Sequence, residues 1–128
     1  MLRVSLLNVL VKDQDAAIEF YAKKLGFSAV EDVAFGPKRW VTVRLPDDDV
    51  LTIALNLAES DADRALVGKQ AGSQPLFSLT TNDCMKEYRR MKEAGVKFQG
   101  EPVVQPFGTG VTLEDLHGNK IYMNQEPA

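Results

Sequence analysis

The chain has 128 residues, 45% of them apolar and 26% charged, with a net charge of -3 at pH 7. That length supports one domain with a real core, no run is long and apolar enough to span a bilayer, and the acidic balance gives no electrostatic footprint for nucleic acid. A single cysteine cannot form an internal disulfide, which fits a reducing compartment.

In chain order, Val4 to Val11 reads as a strand. Asn8, Lys12 and Asp13 interrupt the apolar start, so no signal peptide is expected and the expected location is the cytoplasm. Asp13 can cap a helix, Ile18, Tyr21, Ala22 and Leu25 make its apolar stripe, and Gly26 can end it in the left-handed conformation. Strands are expected at Phe27 to Val33, Arg39 to Leu45 and Val50 to Leu57, separated by turns at Gly36-Pro37 and at Pro46 to Asp49. Residues 58 to 73 read as a linker with a helical turn near Asp61 to Val67. The order then returns. Leu76 to Thr81 is a strand, Asp83 caps a helix with Cys84, Tyr88 and Met91 on its stripe, and Gly95 ends it. Lys97 to Gln99, a loop through Gln105 to Gly108, Gly110 to Glu114, a turn at Leu116 to Asn119 and Lys120 to Gln125 follow. The reading is therefore one α+β domain over residues 1–128, with an internal βαβββ repeat of 4–57 and 74–125 in which Asp83 returns in the place of Asp13.

Alternation separates the two faces of the strands. Val41, Val43, Leu45, Leu51, Ile53, Leu55 and Leu57 share one face with Val111, Leu113, Ile121 and Met123, and this apolar set must pack against the helices. The other face holds Trp40, Thr42, Arg44 and Thr52, then Thr112, Glu114 and Tyr122, with Asn8 and Ser78 matched on the first strand of each repeat. A sheet with one apolar and one mixed face is what a ligand-holding surface looks like in sequence. The competing reading is a solvated face or a subunit contact.

The pattern Val9-x-Val11-x-Asp13 before a helix with Phe20-Tyr21 that ends in Leu25-Gly26-Phe27, and the Asp115-x-x-Gly118-Asn119 turn, resemble the glyoxalase, bleomycin-resistance and extradiol-dioxygenase superfamily. The resemblance spans nearly the whole chain. It implies two tandem βαβββ modules forming a curled mixed sheet around a concave cleft, and in catalytic members a divalent metal held by one His and one Glu per module. The corresponding positions carry Leu6, Thr52, Leu76 and Tyr122 here, which suit no transition metal, so no metal and no cofactor is expected.

His117 sits in a turn with no second histidine, and Cys84 lies on an apolar helix stripe, so both read as structural. The favoured function is a metal-free binder of a small organic molecule, lined by Trp40, Phe107 and Tyr122 and oriented by Asn8, Ser78, Arg44 and Glu114, with Thr42, Thr52 and Thr112 beside them. A diverged enzyme of the same superfamily (a lyase, isomerase or dioxygenase-like protein) using Glu114 or Tyr122 is the alternative. A dimerisation module without ligand is the third reading. The resemblance also implies a homodimer.

Overall fold

The computed structural model describes residues 1–127. It is mixed α+β, with two mixed sheets and few helices, and neither sheet closes into a barrel. The chain divides into two compact units, one from Met1 to Gln70 and one from Ala71 onward.

The first unit begins with β1 (Leu6–Val11), which runs into α1 (Gln14–Glu19) and a π-helical turn (Phe20–Lys24). The Asp13 carboxylate accepts from the Ala16 amide at 3.0 Å, so the predicted cap forms. Ala17, Phe20, Tyr21 and Leu25 are buried, and Gly26 takes φ 89° as the turn closes. Sequence periodicity predicts the helix but not its π segment. The spacing from capping Asp to ending Gly is one residue longer here (Asp13 to Gly26) than in the second repeat (Asp83 to Gly95), and a widened turn absorbs the extra residue.

Strands β2 (Ser28–Phe35), β3 (Lys38–Arg44) and β4 (Thr52–Leu57) complete a sheet of order β1-β4-β3-β2, in which β1 and β4 are parallel. β2 extends past the expected end at Val33, because its hairpin with β3 stays paired up to Phe35 opposite Lys38. The helical turn expected near Asp61 is α2 (Asp61–Leu66), capped by Ser60. Gln70 follows it and places its carboxamide on the outer edge of β1. Its Oε1 accepts from the Leu10 amide at 2.6 Å and its Nε2 donates to the Asn8 carbonyl at 3.3 Å. One side chain thus supplies the donor and acceptor that a neighbouring strand would.

The second unit holds β5 (Phe77–Thr80), α3 (Cys84–Glu93), β6 (Lys97–Phe98), β7 (Val103–Gln105), β8 (Gly108–Glu114) and β9 (Lys120–Gln125). Cys84, Tyr88 and Met91 are buried, and Asp83 accepts from the Lys86 amide at 3.1 Å. β6 and β7 both pair with β8, so together they stand where the single strand β2 stands in the first sheet. The expected loop at Gln105 to Gly108 is instead a hairpin. β7 ends at Gln105 and β8 already starts at Gly108.

Strand register corrects one equivalence read from sequence. Asn8 and Thr42 both pair with Ala54, whereas their counterparts in the second repeat, Ser78 and Thr112, both pair with Tyr122. Tyr122 therefore corresponds to Ala54 and not to Thr52, which corresponds to Lys120. The β8–β9 turn (residues 115–119) is two residues shorter than the β3–β4 turn (residues 45–51). The apolar faces are as expected: Val41, Val43, Ile53, Leu55, Val111, Leu113, Ile121 and Met123 are all 4% exposed or less. Leu57, grouped with them by alternation, is 42% exposed at the end of β4.

Candidate ligand-binding faces

On the first sheet, Asn8, Trp40, Thr42, Arg44 and Thr52 share the face opposite the helix, as alternation requires. The Asn56 amide donates to Asn8 Oδ1 at 2.9 Å, which fixes both carboxamides. Trp40 is half-buried and its indole N–H donates to Glu31 Oε1 at 3.2 Å. Thr42 is fully buried and its hydroxyl donates to the same oxygen at 3.3 Å. Thr52 turns its hydroxyl toward the Ser5 carbonyl at 3.4 Å. Glu31 is a member of this face that sequence parity missed. A β-bulge between Ala29 and Glu31 shifts the phase of β2, and nothing in the residue types marks it.

Arg44 differs from its neighbours. It is half-buried, its Nε is buried with no hydrogen-bond partner, and its register neighbour on β2 is the neutral Ser28. The other arginine of β3, Arg39, is held by two carboxylates. It donates to Asp32 through Nε and to Asp15 through Nη1, each at 2.8 Å, and its hydrogen bonds and charge hold the Asp32 carboxyl below the usual carboxylate range.

On the second sheet, Ser78, Thr112, Glu114 and Tyr122 share the corresponding face. Tyr122 lies across Gly110 so closely that a Cβ on that glycine would overlap the phenol ring and its hydroxyl. Gly110 is thus a notch that seats the ring. Asn124, opposite Gly110, has a buried Oδ1 with no partner. Its counterpart Asn56 donates its side-chain amide to Asn8, whereas the position matching Asn8 is the shorter Ser78. Glu114 lies between Lys97 on β6 and Lys120 on β9 in the strand register. Phe107 lies outside the strands. It is 60% exposed in the turn that joins β7 to β8.

The positions at which the resemblance places metal ligands are Leu6, Ala54, Leu76 and Tyr122 once the register is corrected. Three of these side chains have no donor atom, so the set does not fit a divalent transition metal. Among the described residues no group of three or more His, Cys, Asp or Glu side chains could hold a metal ion. Asp115 is committed to its turn, accepting from the His117 and Asn119 amides and the Asn119 side chain, each at 2.9 Å. Cys84 is fully buried, and burial raises its thiol pKa, which is the opposite of what a nucleophile needs.

Comparison with known proteins agrees with this architecture. Residues 3–123 match the family model described as Glyoxalase/Bleomycin resistance protein/Dioxygenase superfamily. The chain is 36% identical over 127 residues to the uncharacterized protein YurT of Bacillus subtilis (strain 168), covering 98% of this chain and 100% of that one. Among solved structures, UcmS2 superposes with a TM-score of 0.87 at 32% identity, covering 97% of this chain and 98% of that one. TnmS3, an antibiotic binding protein from Streptomyces sp. CB03234, superposes with a TM-score of 0.82 at 28% identity, covering 99% of this chain and 98% of that one.

Proposed function

Because the chain belongs to the Glyoxalase/Bleomycin resistance protein/Dioxygenase superfamily, we propose that it binds a small organic molecule on the mixed faces of its sheets, without a resident metal. The observation that carries this reading is the seating of Tyr122. A half-buried aromatic ring rests on a glycine notch, beside the half-buried Thr112 and the unpaired Asn124 oxygen, on a face the helices do not cover. Apolar area with a few oriented polar groups is the make-up of small-molecule sites. The antibiotic-binding relative TnmS3 supports the same class of ligand. Loss of nitrogen and carboxylate donors at Leu6, Ala54 and Leu76 supports the metal-free part.

Native mass spectrometry of the protein as purified, followed by a thermal-shift screen of planar aromatic compounds, tests this directly. Bound organic mass or a saturable rise in melting temperature is expected, with Tyr122→Ala weakening the hits. One equivalent of zinc, nickel, iron or manganese by elemental analysis would overturn the metal-free part. Catalytic turnover of a hit would favour the enzyme reading instead. A homodimer is also proposed, supported by exposed apolar side chains along the outer hairpins, namely Val33, Phe35, Val103, Val104 and Phe107. Sedimentation measurements check it.

A further inference from the structure

We propose that Arg44 is the anion-reading residue of the first sheet, so that the ligand class is an organic molecule bearing a carboxylate or similar oxyanion; this rests on the small-molecule reading above. Burying a guanidinium N–H with no acceptor is costly. Arg44 keeps its Nε in that state, and among the described residues no hydrogen bond or ion pair engages its side chain. Asp48 lies near enough to feel its charge, but the Asp48 Oδ1 accepts from the Val50 and Leu51 amides at 3.1 and 3.0 Å and makes no ion pair with it. Glu31, on the neighbouring strand and the same face, turns its Oε1 to Trp40 and Thr42 and makes no ion pair with Arg44. Ser28 beside Arg44 brings no charge.

Glu114, the counterpart of Arg44 in the second repeat, sits between two lysines in register. Arg44 has no such flanking. A planar fork of donors is suited to a carboxylate or phosphate oxygen pair. Trp40, on the same face of β3 beyond Thr42, adds an aromatic surface and a fluorescent reporter along the same strand.

The test uses the whole chain and three probes: 2-naphthoate, its methyl ester, and inorganic phosphate. Quenching of Trp40 and thermal shift are measured on the parent, Arg44→Met and Arg44→Lys. The expected result is that 2-naphthoate binds the parent at least about tenfold tighter than its ester, a difference that Arg44→Met abolishes and Arg44→Lys only partly restores. Without ligand, Arg44→Met, which keeps an apolar stem and removes the unpaired donor, should melt at or about 3 °C above the parent. Equal binding of acid and ester to the parent overturns the anion assignment and leaves the small-molecule reading standing. Binding of phosphate but neither naphthyl compound keeps an oxyanion site at Arg44 and removes the organic ligand. If no probe binds and Arg44→Met melts below the parent, Arg44 is a structural anchor of the Asp48 turn and the proposal fails.

Discussion

Gln14 and Gln125 show how single side chains tie each helix to its sheet. Gln14, buried at the start of α1, donates from Nε2 to the Arg39 and Leu55 carbonyls at 3.0 and 2.9 Å. In the second unit the clamp is reversed, with Gln125 of β9 accepting through Oε1 from the Cys84 amide at 2.7 Å. Replacing Gln14 by Ala strands two carbonyls, one of them buried, and should cost about 1–3 kcal/mol. Asp13→Ala removes only an exposed cap and should cost about 1 kcal/mol. Chemical denaturation of both variants checks the order. Asp48 adds a pH signature. The Leu51 and Val50 amides hold its carboxyl below the usual value, so its stabilisation is present above the unfolded pKa of about 4 and is lost as pH falls through the lower folded value. Asp48→Asn keeps the accepting oxygen and removes the titration. The difference in Tm between parent and variant should therefore shrink in acid and stay level above about pH 5.

At the scale of elements, the helices were legible because each carries its own start and stop: Asp13 and Gly26 in one, Asp83 and Gly95 in the other. The π turn was not, since its cause is a length difference between repeats rather than a residue type. At the end of that turn Leu25 is 2% exposed in the core. Truncating Leu25 to Ala leaves a cavity and should cost about 3 kcal/mol. Deleting the residue altogether restores the spacing of α3 and lets the turn close into a regular helix. Its cost, measured by denaturation, should be smaller than that of the truncation. β7 escaped sequence reading because three residues followed by Pro106 give too short an alternation to separate from a loop. The two-residue difference between the β3–β4 and β8–β9 turns was hidden for another reason. An even shift preserves strand parity, so alternation puts Tyr122 on the right face while matching it to the wrong partner.

The two units place their large and small residues on the mixed faces in opposite senses. Where the first sheet has Trp40 on β3 and Ala54 on β4, the second has Gly110 on β8 and Tyr122 on β9. Each mixed face thus carries one large aromatic and one small residue, but on different strands, and only in the second does the structure show the ring seated on the small partner. Shape complementarity of this kind makes the two positions energetically coupled. Gly110 has no positive φ, so the backbone admits Ala there and the main obstacle is the Tyr122 ring. Gly110→Ala should then displace the ring and cost about 1–3 kcal/mol through overpacking. Tyr122→Ala removes the ring together with its contacts to the glycine. In the double variant the added methyl meets no ring, so its cost should fall to near zero. A double-mutant cycle by denaturation is expected to give a coupling of about 1 kcal/mol or more. Additive costs would mean that the ring has another resting place on the sheet, and the notch would then lose its standing as the feature that positions Tyr122 for a ligand.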